Sequence, residues 1–287
     1  MENQQTSKFG RPLSELSQVD WANLEHAYGS AEDVPAQLEA IAAGDEEAYA
    51  DAFGNLWHQW TTYSATPHAI PFLIGILETG QSELDILSLL SVIGSGHGDA
   101  QEAVLAALLK GLPVYLPYLH SQQPEILTSA ARLCRDLILE TKDAAALEAM
   151  QDALLAQPDP DLQAALLYFL GCAAPLISEV EAFARAQLER EDAPLLSLSA
   201  ALALAHHLGK DAPSEVTEVI LSALADEETE ERGEALFLDP DNIFDEIAKA
   251  GKALGQAQAF AVAFRKQAEV TGDEHLLDYL DELEDWE

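Results

Sequence analysis

A short polar start followed by an apolar helical stretch recurs along this chain at about the length of one helical hairpin, and that period constrains the fold more than any other feature. It runs from Asp45-Glu46-Glu47-Ala48 into Ala52-Phe53-Leu56, from Ser82-Glu83-Leu84-Asp85 into Leu89-Leu90-Ile93-Gly94, and from Pro124-Glu125-Ile126 into Ala130-Ala131-Leu133. The clearest copies are Asp159-Pro160-Asp161-Leu162 into Ala164-Ala165-Leu167-Leu170-Gly171 and Asp192-Ala193-Pro194-Leu195 into Ala200-Ala201-Leu204-Leu208-Gly209. Counted from residues 45, 82, 124, 161 and 194, the spacings are 37, 42, 37 and 33. Two-helix repeats of an α-solenoid have this length, because one hairpin cannot bury its apolar face alone and must stack on a neighbour. The predicted fold is all-α: an α-solenoid of helical hairpins with a C-terminal helical cap.

The chain is 287 residues long, 48% hydrophobic and only 7% aromatic, enough for one large core or a quasi-linear array rich in Ala and Leu. No run of about 18 uncharged apolar residues occurs, and Met1-Glu2-Asn3-Gln4-Gln5 lacks the basic and apolar regions of a signal peptide. The expectation is a soluble, cytoplasmic protein. The two cysteines, Cys134 and Cys172, sit inside apolar helical patterns and read as small buried thiols rather than as a disulfide or metal framework.

Lys plus Arg is 14 against 51 Asp plus Glu, a formal net charge of −37. A surface that grips phosphates needs cations to displace counterions, so direct binding to nucleic acid is disfavoured, and anionic membranes for the same reason. Such an excess suits two readings equally: solubility, and a protein partner with a basic surface drawn in by the field. Residues 211–287 hold 22 acids against Arg232, Lys249, Lys252, Arg265 and Lys266, so the excess is concentrated there.

Residues 1–16 read as a flexible segment broken by Gly10 and Pro12, and 17–287 as one solenoid domain, less regular and acidic from 226 onward. A first helix is expected over Ser17–Tyr28, and a second from Asp33-Val34-Pro35 through Ile41, closed by Gly44. Thr66 is expected to cap a helix through Leu77, with Pro71 in or just after its first turn. Further helices are expected over 99–110, 143–155, 178–189, 214–225, 243–254 and 257–268. Leu276, Leu277, Tyr279, Leu280, Leu283 and Trp286 are at helical spacing in an acidic tail, the pattern of a capping helix.

The Asp-Pro-x-Leu-x-Ala-Ala-x-x-x-x-Leu-Gly unit at 159–171 and its looser copies, spanning about residues 30–225, resemble bacterial HEAT-repeat proteins of the short-repeat, phycobilisome-lyase-like type. The stretches Leu24–Pro35, Leu56–Thr66 and Ala69–Leu73 resemble an uncharacterised group of bacterial HEAT-repeat proteins that commonly has Gly where Trp60 stands here. The first likeness implies architecture and little about activity; the second implies a role beside toxins, as immunity or adaptor proteins.

Trp57, His58, Gln59, Trp60, Thr61, Thr62 and Tyr63 form the densest cluster of large amphipathic side chains, suited either to a binding edge or to sealing the junction between repeats. Glu227, Glu228, Glu230, Glu231 and Glu234 read as a solvated face or as a docking strip for Lys and Arg. His206-His207 ends an apolar helix, where a cation suits the dipole and adjacent residues point to different faces, so no metal site is assigned. Gly94-Ser95-Gly96-His97-Gly98 follows a helix and lacks the Gly-Lys-Ser/Thr ending of a phosphate loop, so it reads as a flexible turn. Asp239-Pro240-Asp241-Asn242 starts like a calcium loop and fails at Ile243. No catalytic residue, cofactor or metal is assigned, and the expected function is non-enzymatic protein binding, in its most specific form neutralisation of a basic toxin. Two alternatives stand beside it. One is a lyase-like enzyme or small-ligand binder using the 57–63 cluster with His26 or His68; the other is an acidic nucleic-acid mimic.

Overall fold

The computed structural model describes residues 8–226, 228, 231, 233 and 240–284. The fold is all-α, and the chain divides into two compact units, Met1–Ala146 and Leu147–Glu287, where the sequence predicts one domain from 17 onward. Among the described residues, no single helix is long and apolar enough to cross a membrane.

The first unit opens with 3₁₀ turns at Leu13–Gln18 and Trp21–Asn23, a two-residue ladder of β1 (Glu25–His26) with β2 (Gly29–Ser30), and a third 3₁₀ turn at Ala31–Asp33. Helices α1 (Val34–Ala42) and α2 (Glu46–Leu56) follow, then a second ladder of β3 (Trp57–His58) with β4 (Thr61–Thr62). After it come α3 (Thr66–Leu77), α4 (Glu83–Gly94), α5 (Gln101–Lys110), the short α6 (Leu112–Tyr115), a 3₁₀ turn at Leu116–His120, and α7 (Pro124–Thr141). Helix α8 (Ala144–Ala156) leads into the second unit of α9 (Pro160–Ala173), α10 (Ser178–Gln187), α11 (Pro194–Leu208), α12 (Ser214–Leu224), α13 (Pro240–Ala253) and α14 (Ala257–Thr271). A 3₁₀ turn at Glu274–Leu277 and α15 (Asp278–Glu284) close the description.

Within each unit the helices pack on near neighbours in the chain: α1 on α2, α4 on α7, α9 on α11, α11 on α12 and α13 on α14. That is the nearest-neighbour logic of stacked hairpins. The repeat starts act as caps where a carboxylate is available. Asp45 Oδ1 accepts from the amides of Glu47 at 3.0 Å and Ala48 at 3.2 Å, and Asp159 Oδ1 accepts from Asp161 at 2.9 Å and Leu162 at 3.4 Å. Asp192 departs from this pattern: Arg190 holds its carboxylate at 2.6 and 2.9 Å, and Ala193 occupies the cap position of α11. Leu167 is fully buried on α9, in the expected register, and α11 is buried on every side from Leu195 to Ala205.

Three local expectations are corrected. Residues 8–16 are not loose: the amides of Lys8, Phe9 and Gly10 donate to the Glu78 carboxylate at 3.0–3.4 Å, and Arg11 N donates to Pro71 O at 2.7 Å. The segment crosses α3 where two glycines meet, since a Cβ on Gly10 would stand 2.2 Å from Gly75 N. Main-chain bonds to a carboxylate 68 residues away leave no periodic trace in sequence. The helix expected over Ser17–Tyr28 is replaced by the 3₁₀ turns and the first ladder, which Trp21 anchors by donating Nε1–H to Leu16 O at 2.9 Å. Thr66 is the first residue of α3 rather than its cap, and its Oγ1 accepts from Tyr63 N and donates to Leu56 O; Pro71 lies inside that helix. The tail forms the expected cap as far as Glu284, with Leu276 and Leu283 buried, while Trp286 lies outside the described residues.

Candidate functional site

The 57–63 cluster is a β-hairpin. Trp57 pairs with Thr62 and His58 with Thr61, leaving Gln59 and Trp60 as a two-residue turn. Both turn residues have positive φ, +48° and +65°. Two consecutive positive φ values mark the type I′ turn that matches strand twist, a turn ordinarily made by Asn-Gly or Gly-Gly. A left-handed backbone costs about 1–2 kcal/mol per residue that carries a Cβ, and a bulky side chain there is a genuine outlier.

The loop after α4 fixes the hairpin in place. His97 N donates to Trp60 O at 2.7 Å, and Thr62 N donates to His97 O at 2.9 Å. Thr62 Oγ1 adds a bond to the same carbonyl, so Gly94–Gly98 is a clamp on the turn rather than a free connection.

The aromatic surface extends beyond the residues that the sequence singles out. Tyr49, Phe53 and Trp57 are spaced by four along α2 and its end, and their rings stack edge to face at 6.1 and 5.5 Å; Trp60 continues the series at 5.6 Å from Trp57. Tyr28, from the first ladder, lies 5.5 Å from His58 ring to ring, with its hydroxyl 3.4 Å from Nδ1. Tyr28 is 70% exposed and Trp60 51%, and Trp57 Nε1 is closed off from solvent with no acceptor among the described residues. The spacing 49, 53, 57 is the signal that would have extended the cluster from sequence. Tyr63 is half-buried and turns into the start of α3. No protein family, curated protein or solved structure matches this chain.

The surroundings are acidic. No Lys or Arg stands between Arg11 and Lys110, while 15 Asp or Glu do. Burial and the nearby Glu46 push the Asp85 carboxyl up, and burial with Asp85 pushes the Tyr49 phenol up to about 12. Like charges are thus held together beside the aromatic stripe.

The imidazoles considered for chemistry are placed apart from one another in role. Nδ1 of the buried His26 accepts from Tyr28 N at 3.1 Å and its Nε2 faces Asp33 Oδ1 at 3.0 Å, so both ring nitrogens are used in holding the first ladder. His68 is exposed on the first turn of α3. In the acidic strip, Glu228 and Glu231 are exposed, whereas Glu227, Glu230 and Glu234 lie outside the described residues. Cys134 is fully buried, as expected, and burial with Asp136 and Asp143 pushes its thiol up to about 12. Cys172 is only half-buried, which corrects the expectation for it.

Proposed function

We propose that this chain is a non-enzymatic helical-repeat protein, of the HEAT type that its repeats resemble, and that it binds a protein with a basic surface through the Trp57–Trp60 hairpin and Tyr28. The observation that carries the reading is Trp60: a large, half-exposed aromatic held at φ +65°, where the backbone favours Gly. Strain of this kind persists where the surrounding structure enforces it, and it concentrates at binding and catalytic positions. Trp and Tyr supply large contact area at small cost in side-chain entropy and dominate binding hot spots. The 15 acids without a compensating Lys or Arg between residues 11 and 110 supply the field that would draw a basic surface onto this edge. An immunity or adaptor role toward a basic toxin is the most specific form of this reading.

The test is capture by the immobilised full-length chain from extract of its own cells at about 50 mM and about 500 mM salt, across which the screening length shortens severalfold. Retention of a basic protein at low salt, weakened at high salt, supports the reading. Capture that ignores ionic strength, or capture of acidic proteins only, contradicts it.

A further inference from the structure

Cys172 near the end of α9, His206 in the last turn of α11 and Glu246 in the second turn of α13 bring one sulfur, one nitrogen and one oxygen donor within 4.8 Å of one another. All three belong to the second unit. Glu246 Oε2 is the meeting point: Cys172 Sγ lies 3.4 Å from it and His206 Nε2 2.9 Å. His206 Nε2 is closed off from solvent and faces Glu246 Oε2 as an ion pair. Sulfur, imidazole nitrogen and carboxylate oxygen gathered this closely are the donor types of a zinc-class site.

The helices bring the donors together for a steric reason. One residue before Cys172, Gly171 lets α9 approach α11 so closely that a Cβ there would stand 2.5 Å from Ala203 Cβ. Ala203 is three residues, or about one turn, before His206. On the far side, Lys249 Nζ donates to Glu246 Oε1 at 2.8 Å, which leaves Oε2 facing the other two donors, and Asp245 pairs with the same ammonium. A nucleophile–base relay would chain Cys to His to carboxylate; here the thiol and the imidazole both face the same carboxylate oxygen instead.

We propose that Cys172, His206 and Glu246 bind one zinc-class divalent ion through Sγ, Nε2 and Oε2, with the fourth position open to water. Binding forms the metal–sulfur bond as the Cys172 thiol releases its proton to solvent, while His206 binds as neutral imidazole and Glu246 as carboxylate. The thiolate and the carboxylate together balance the charge of the ion. A thiolate and an imidazole select zinc or cobalt over calcium and magnesium, so the site is distinct from the weak, non-selective attraction of divalent ions to a chain of net charge −37. The ion would join the end of α9 and the end of α11 to α13.

The experiment titrates the metal-stripped full-length chain with Co²⁺ and reads the near-ultraviolet thiolate-to-cobalt charge-transfer band, which surface carboxylates cannot produce. The expected result is one equivalent bound with the band present, and loss of the band on addition of one equivalent of Zn²⁺. Cys172→Ser should abolish the band, and Glu246→Gln should weaken binding by more than about tenfold. His207→Gln should leave both unchanged, because His207 faces away, accepting from Leu176 N and facing Glu181. A wild-type chain that binds Co²⁺ without the band, or binds none, overturns the proposal whatever the variants do. An undiminished band in Cys172→Ser, traced to the buried Cys134, overturns it equally.

Discussion

Gly171 is where α9 and α11 come closest, and its replacement by Ala gives a prediction whose sign opposes helix propensity. Inside a helix Ala is favoured over Gly by about 1 kcal/mol, so propensity alone makes Gly171→Ala stabilising. A Cβ at this position would stand 2.5 Å from Ala203 Cβ and 2.8 Å from Ala203 Cα, whereas carbon atoms rest at about 3.5–4.0 Å. Relief requires the two helices to part by about 1 Å, since neither opposing atom is the movable end of a long side chain. Overpacking costs about 1–3 kcal/mol, toward the upper end where backbone must shift. After the propensity gain, the net expectation is a loss of about 1–2 kcal/mol. Gly54 is the control: on α2 the nearest atom to its Cβ position is Tyr28 Cε2 at 4.0 Å, so Gly54→Ala should gain up to about 1 kcal/mol. Urea denaturation of both variants and the wild type, followed by far-ultraviolet circular dichroism and fitted to separate transitions for the two units if they resolve, measures both signs. Gly171→Ala proving as stable as the wild type or more so would refute the close crossing.

Leu167→Ala, which empties a fully buried site on α9, should cost about 2–5 kcal/mol, and hydrogen exchange should show the loosening chiefly in α9, α10 and α11. Asp85→Asn tests the acidic flank of the aromatic stripe. An acid whose pKa is raised on folding disfavours the folded state once ionised, so the substitution should stabilise the chain at pH 7, and the gain should fade as pH drops into the carboxylate range. In the same variant the Tyr49 phenol should titrate below its value of about 12, read by ultraviolet absorbance; an unmoved Tyr49 would leave burial as the sole cause.

The parts of this fold legible in sequence are those where one residue does one local job. Asp45 and Asp159 cap helices because nothing else among the described residues claims their carboxylates, whereas Asp192, with the same sequence look, is taken by Arg190 two residues earlier. The apolar period placed Leu167 in the core because burial follows helical spacing. Residues 8–30 depart from the sequence expectation because their order comes from distant partners: Glu78 for Lys8–Gly10, and Ser64 Oγ for the amide of Glu25. The hairpin at 57–62 was hidden because Gln-Trp is not the signal of a type I′ turn; the clamp from His97 enforces it instead. Cys172 and Glu246 are 74 residues apart, so no local pattern could join them.

The central claim is that Trp60 is held in a strained turn for binding and not for folding. Replacing it with Gly removes about 1–2 kcal/mol of backbone strain and gives up one edge-to-face contact with Trp57, worth about 0.5–1.5 kcal/mol. The measurement is parallel capture of protein partners by wild type and Trp60→Gly, with the stability of both determined on the same preparations. The account predicts stability within about 1 kcal/mol of the wild type and loss of the basic partner. A variant that is clearly less stable yet retains that partner would contradict it.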